Sequence, residues 1–304
     1  MSQRSQDTLY KYCSAETAKL ILASQSLRWS ASQLYADPLE LNYQSELPFN
    51  NDDLLSAAIK AATSFIFAKD PPSGRAPLMA AIRRWRDEER FASPEEAETV
   101  LHDLLTQMVT QRIEEIEQIV TDWKAYTRKM RICCFSAKAD DLNSWYKYGD
   151  NHRGVILRFH NEGSAYFGKA EQVKYSDNKP AISSMKEQLN TVLVNDGHRP
   201  QDYFQEKFLS KPLSYKSEQE WRCFFEQKES DAPIDEDPNK HYLDRPFNND
   251  DLKAVHFGTA TSLADQKEIW DIIKSNYSLV KMFETTLGTT NFELKIDRVN
   301  QKPS

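Results

Sequence analysis

The spacing of apolar residues changes period twice along the chain. At the start, TLYKYC (8–13) alternates as a short half-buried strand does. Ser14 is a good N-cap for a helix over about 15–24, and SLRWS (26–30) reads as a second short strand. YADPLEL (35–41) carries an Asp-Pro turn signal. From Asn51 the spacing becomes helical. Residues 52–68 predict one helix, the run DPPSGRAP (70–77) breaks it, and 78–91 predict another. SPEE (93–96) is a strong helix start, with Ser at the N-cap, Pro in the first helical position and acids in the first turn.

That third helix meets no breaker before Lys129. Leu101, Leu104, Leu105, Met108, Ile113, Ile116, Ile119, Val120 and Trp123 form its apolar stripe, at steps of three and four. The stripe is expected to pack on the body of the domain. A homodimer through this long helix is the minority alternative, because the flanking charges are not cleanly paired for a coiled coil.

Beyond residue 130 the period returns to two. Strands are expected at 131–137, 154–160, 171–176, 220–226, 252–258, 279–284 and 292–299. Residues 140–154 read as a loop or short helix ending at Gly154. Helices are expected at 183–195 and 200–210 and within 259–276. The acidic, proline-bearing run 230–244 reads as an exposed loop. Strands at both ends with helices between predict an α+β fold: a mixed, largely antiparallel sheet with packed helices. The expected organisation is a single domain over 1–304 with a helical insertion at about 51–130.

Composition narrows the function classes. Only 8 glycines occur in 304 residues, and neither GxGxxG nor GxxxxGK[ST] can be found, which disfavours a Rossmann fingerprint and a P-loop. The net charge of −7 argues against a broad basic surface for duplex nucleic acid. MSQRSQDTLYKYC lacks the apolar core of a signal peptide, and no run of eighteen apolar residues exists. A cytoplasmic protein without a membrane span is therefore expected. Cys13, Cys133, Cys134 and Cys223 form no CxxC, so reduced packing thiols are expected, and zinc is disfavoured because the Cys and His spacings are unpaired.

One stretch raises a chemical question. In YKSEQEWRCFF (215–225), Glu218 and Glu220 stand one residue apart before an apolar run. In a strand they would share a face with Arg222, which would keep Glu220 ionised. An ionised carboxylate suits electrostatic stabilisation or a salt bridge rather than a general-acid role. The two readings, catalytic pair or internal ion pair, stay open at this stage.

Four stretches resemble the domain-of-unknown-function 2971 (DUF2971) family of bacterial proteins. They are LYKYCS (9–14) with LRWS (27–30), YADPLEL (35–41), CFSAKADDLNSWYKYGDNHRGVILRF (134–159) and KPLSYKSEQEWR (211–222). The chain departs from the family pattern at Ala36, at Leu39 and in WYKYG (145–149). The resemblance implies a fold and an order of motifs rather than a known chemistry.

Two function classes follow, with a third behind them. One is a binding or signalling module for a small-molecule or nucleotide ligand, for instance in bacterial stress or phage defence. In it His152 and Arg153 would be held by a turn at Gly154. The other is an NAD-using enzyme similar in outline to ADP-ribosyltransferases. There Glu220 would face the oxocarbenium charge on the ribose, and Glu218 would orient or deprotonate the acceptor. Tyr12 or Tyr148 would stack on nicotinamide, and Arg153 or Arg222 would meet the pyrophosphate. Tyr10, Lys11, Ser30, Asp37 and Trp145 complete the candidate site. A metal-dependent nuclease using Asp37, Glu40, Asp140, Asp141, Glu218, Glu220 and Lys211 is the third reading, although no spacing forms a strong metal motif. Structural roles compete throughout: His152 as a hydrogen-bonded core histidine, Asp37 as a turn former, and Trp145 and Trp221 as core.

Overall fold

The structure, a computed structural model, describes residues 6–35, 37, 41, 47–70, 72–74, 76–161, 167, 169–194, 199–228, 230 and 233–302. The Asp37–Pro38 turn, the departures at Ala36 and Leu39, and Glu40 lie outside the described residues. The architecture is α+β, and the chain divides into two compact units. The first comprises 1–42, 128–179 and 209–304, and the second 43–127 and 180–208.

The first unit is built on a sheet. Its leading elements are strand β1 (Thr8–Cys13), helix α1 (Ala15–Ser24) and strand β2 (Ser26–Ser30). Ser14 caps α1 as its sequence position predicts, with Oγ accepting the Thr17 N–H at 3.1 Å. Helices α2 (Asn51–Phe67), α3 (Pro77–Asp87) and α4 (Pro94–Lys129) follow in the chain. Strand β3 (Met130–Ser136), the short helix α5 (Leu142–Lys147) and strand β4 (Val155–His160) come next, then the two-residue strands β5 (Glu171–Gln172) and β6 (Lys174–Tyr175). Helices α6 (Met185–Val194) and α7 (Phe204–Lys207) precede β7 (Ser210–Lys211), a 3₁₀ turn over Leu213–Glu218, and β8 (Glu220–Glu226). Strands β9 (Tyr242–Pro246) and β10 (Leu252–Phe257), helix α8 (Leu263–Asn276), and strands β11 (Lys281–Leu287) and β12 (Leu294–Val299) close the chain.

Strand order is β12-β11-β10-β4-β1-β3-β2-β9, with β8 on β3 and β5 on β8. All of these pairings are antiparallel except β10–β11, which are joined through α8. Helices α1 and α8 contribute Ala18, Ile21, Leu22, Ile269, Trp270 and Ile273 to a core with Leu9, Trp29, Leu157 and Val255. Each such large side chain stabilises by about 1.5–3 kcal/mol on burial. A smaller cluster holds Tyr12, Trp145 and Ile156, because Tyr12 alternates away from Leu9 and Cys13.

One feature of the sheet positions the site. Strand β3 runs against β8 over its whole length, from Met130↔Glu226 to Ser136↔Glu220. With β1 it keeps only the register Tyr10↔Ser136, and with β2 only Ser30↔Ile132. Between those two bridges the sheet is split.

The second unit is helical. An Asn50–Asp53 capping box starts α2, and Pro77 occupies the first turn of α3. Leu54, Ala58, Met79, Ile82, Leu101, Leu105, Val109, Ile116, Val192 and Leu193 share its core. The α4 stripe is therefore buried at Leu101, Leu105, Ile116, Ile119 and Trp123, whereas Leu104 is exposed.

Three sequence expectations are corrected. The strand expected at 171–176 is two, since at Val173 the chain leaves β8 and pairs with β7 instead. The expected helix 200–210 is a 3₁₀ turn and the single turn α7. The run 230–244 is not wholly loop: β9 begins at Tyr242 and pairs with β2 from Ser26↔Pro246 to Ser30↔Tyr242. Its polar alternation is that of an edge strand, which composition alone confuses with a loop.

Candidate functional site

At the split, the free edge of β3 is met by side chains instead of backbone. Lys11 Nζ donates to the Cys134 carbonyl at 3.0 Å, and Tyr35 Oη donates to the Ile132 carbonyl at 3.0 Å. A cavity of about 90 Å³ opens there, enough for several waters. Tyr10, Lys11, Tyr12, Tyr35, Tyr148, Ser136, Glu218 and Glu220 are among its lining. Burial pushes the phenols of Tyr12, Tyr35 and Tyr175 up, so each is a neutral hydroxyl.

Glu218 and Glu220 do not stand on one strand. Glu218 ends the 3₁₀ turn, Gln219 takes a left-handed φ of 42°, and β8 begins only at Glu220. This corrects the alternation argument, yet the kink still brings both carboxylates to one cation. Lys211 Nζ lies 2.6 Å from Glu218 Oε2 and 2.7 Å from Glu220 Oε2. Both acids are buried rather than solvated, at 4% and 5% exposure. The parallel register Tyr175↔Lys211 sets a tyrosine beside this cluster, and Tyr175 Oη accepts the Glu220 N–H at 2.7 Å. Ser136 Oγ, donating to the Glu218 carbonyl at 2.6 Å, ties the kink to β3.

The two acids are held differently. Glu220 Oε1 also receives Arg222 Nε at 2.6 Å, and Arg222 is fully buried. Burial by itself would raise the Glu220 carboxyl, but Arg222 and Lys211 together hold it well below the usual range. Glu218 has one contacting cation, with Tyr148 Oη donating only at 3.3 and 3.4 Å. Burial outweighs Lys211 there and raises the carboxyl above its ordinary value, with repulsion from Glu220 adding to it. Lys211 also donates to Tyr148 Oη at 3.2 Å.

Asp37 joins the rim of this network. Its Oδ2 accepts Tyr215 Oη at 2.9 Å and Lys147 Nζ at 3.1 Å. Lys147 in turn sits 4.3 Å from the Tyr215 ring centre.

Other candidates lie elsewhere. Arg153 is exposed and pairs with Asp150 at 3.0 Å, beside Ser14, Glu16 and Asp265 rather than on the cavity. His152 has a left-handed φ of 66° and stacks on Trp145 at 6.2 Å, and it too is not among the lining residues. The ligand loop expected at 151–154 is thus not brought to the cavity. Gly154 serves close packing instead, since a Cβ there would meet the Cys13 carbonyl oxygen at 2.1 Å. Trp145 is core: it packs edge-on to Tyr12 at 5.3 Å and donates Nε1–H to the Ala139 carbonyl. Ser30 is a bridge residue of β2 away from the lining. No cluster of three or more His, Cys, Asp or Glu that could hold a metal occurs among the described residues.

Sequence reasoning left Tyr35, Cys134, Ser136 and Tyr175 out of the site. Each reaches it through strand pairing or a distant chain segment. Lys211 carried a signal, as the lysine of KPLSYKSEQEWR, but nothing local aimed it at both acids.

Fold and site define an α+β protein with a buried acid–base cluster at a split in its sheet. Residues 144–223 match the model of a family described as "Protein of unknown function (DUF2971)". The match bears out the resemblance over that stretch, which includes Tyr148, Lys211, Glu218, Glu220 and Arg222. No curated protein and no solved structure matches the chain. Among the described residues, no helix is long and apolar enough to cross a membrane.

Proposed function

We propose that the protein binds a small anionic molecule carrying a flat ring, as a nucleotide does, in the cavity at the split. Lys11 is the observation that carries this reading. Its ammonium lines the cavity with one hydrogen-bond acceptor, the Cys134 carbonyl, and no carboxylate in contact among the described residues. An ammonium has three donors, and a partly buried cation with no carboxylate in contact favours an incoming anion. Tyr10, Tyr12, Tyr35 and Tyr148 supply ring faces and hydroxyls around it. Calorimetric titration with AMP, ADP, ATP and NAD, against adenosine as the uncharged control, tests the reading. Binding of a nucleotide that Lys11→Met removes supports it; equal binding of adenosine and AMP overturns it.

A second reading, NAD-dependent ADP-ribosyl transfer, is favoured by one observation: Glu220 stays ionised in the wall of the same cavity. It ranks behind because Lys211 and Arg222 already occupy both Glu220 oxygens. Release of nicotinamide from NAD, lost in a folded Glu220→Gln variant, would reverse the ranking.

A further inference from the structure

Lys211 serves two buried carboxylates, and the second cation goes to only one of them. Glu220 is clamped between Lys211 and Arg222 at 2.7 and 2.6 Å. Among the described residues, the Glu218 carboxylate contacts Lys211 at 2.6 Å and otherwise only the Tyr148 hydroxyl, at 3.3 Å or more. Both line the cavity that Lys11 enters from β1.

The groups around Glu218 come from every neighbouring element. Lys211 comes from β7, Tyr148 and Lys147 from the end of α5, Tyr175 from β6, Glu220 from β8, and Tyr215 from the same 3₁₀ turn. Among them the cations are Lys211 and Lys147, and Glu220 is the fixed anion. An anion entering this cavity adds a negative charge next to two carboxylates. The charge held by the fewest contacts is the one that yields: among the described residues two cations contact Glu220 and one contacts Glu218.

We propose that the cavity takes up its ligand together with a proton, and that Glu218 receives the ligand as a neutral carboxylic acid. A carboxyl group then donates a hydrogen bond that a carboxylate cannot. The ligand class is accordingly one whose anionic group accepts from both an ammonium and a carboxyl: a phosphate monoester or a ring carboxylate. Lys211 keeps Glu220 and Tyr148 as partners when Glu218 is neutral, so it still has a carboxylate in contact. The inference rests on the binding reading above and adds the protonation state and the anion class.

The test is titration calorimetry of AMP and of nicotinic acid between pH 6 and 8, in buffers of differing ionisation enthalpy. Wild type is compared with Glu218→Gln, which keeps a neutral hydrogen-bonding side chain of the same length. AMP titrates near this range itself, equally for both proteins, so the difference between them isolates Glu218. Extra proton uptake by wild type, approaching one per ligand, is expected where free Glu218 is ionised. Affinity should then fall up to tenfold per pH unit more steeply than in Glu218→Gln. Whichever probe shows this identifies the anion. Binding of a probe with identical proton uptake in both proteins overturns the inference and leaves the binding reading standing. If neither probe nor any nucleotide binds wild type, the binding reading falls and this inference with it.

Discussion

Lys11 Nζ reaches across the split sheet to the Cys134 carbonyl at 3.0 Å, where strand pairing would otherwise supply a backbone N–H. A side chain has replaced a rung of the ladder. The sheet thereby keeps its acceptor satisfied while a cavity opens beside it.

That substitution has a measurable consequence. Lys11→Met keeps an unbranched side chain, one atom shorter, and removes the charge. It is expected to weaken binding of an anionic nucleotide about tenfold to a hundredfold, the worth of about 1.5–3 kcal/mol for a charged hydrogen bond. Circular dichroism should show the native fold. Unchanged calorimetric affinity in a folded variant would remove Lys11 from the site.

The two acids should separate cleanly in stability. Glu220→Gln leaves Lys211 and Arg222 buried with too little negative charge, and is expected to cost about 3–5 kcal/mol in urea unfolding. Glu218→Gln removes the acid held by a single cation and should cost distinctly less. With its carboxyl depressed in the fold, Glu220 contributes stability that is present above its unfolded value and lost as pH falls below about 4.3. Glu218, raised in the fold, works in the opposite sense: its contribution is lost as pH rises through its folded value. Equal costs for the two substitutions would contradict the asymmetry of the cluster.

His256 on β10 predicts a second acid-sensitive step. Its ring is buried against Phe283 at 4.8 Å and Tyr10 at 6.1 Å, and neither ring nitrogen has a hydrogen-bond partner among the described residues. Burial, helped by the Arg158 charge, lowers its pKa to about 4. The unfolded histidine takes a proton near pH 6.5, so the stability this group confers is present above that value and is lost as pH falls toward about 4. The difference is worth on the order of 3 kcal/mol. His256→Leu breaks no hydrogen bond and should be more stable than wild type at pH 5. A loss of stability at pH 5 as large as at pH 8 would refute this account.

Thiol reactivity offers a probe of the cavity. Burial raises Cys13 to about 12 and raises Cys133 and Cys223 as well, which suppresses the reactive thiolate. Cys134 is only partly buried and lines the cavity. Iodoacetamide on the native protein should therefore label Cys134 first, as read by peptide mass spectrometry, and a bound nucleotide should slow it. Faster labelling of any of the other three would show that the core opens more readily than its packing implies.

Most of the elements were legible because their signals are local. Ser14 as a cap, SPEE as a helix start, the 3.6-residue stripe of α4, the alternation of β1 and the short apolar runs of β4 and β10 each act within a few residues. The ionised state of Glu220 followed from its neighbour Arg222 two positions on. The polar edge strand β9 and the two-residue strand β7 were not legible, and the break that divides 171–176 into β5 and β6 was not either, because so few residues carry no period.

The site itself was decided by tertiary structure. Lys11 and Cys134 are 123 residues apart, and Tyr148 is 70 residues from Glu218. The sequence alone determined which side chains carry charge and which face of each element is apolar. Only the pairing of β3 with β8 along its length, and with β1 and β2 by one bridge each, determined where the sheet opens. The kink at Gln219 did the same for the acids, setting Glu218 and Glu220 on one lysine that neither could choose by spacing. Charge balance inside a fold is a sum over groups from distant segments, so no short stretch of the chain contains it.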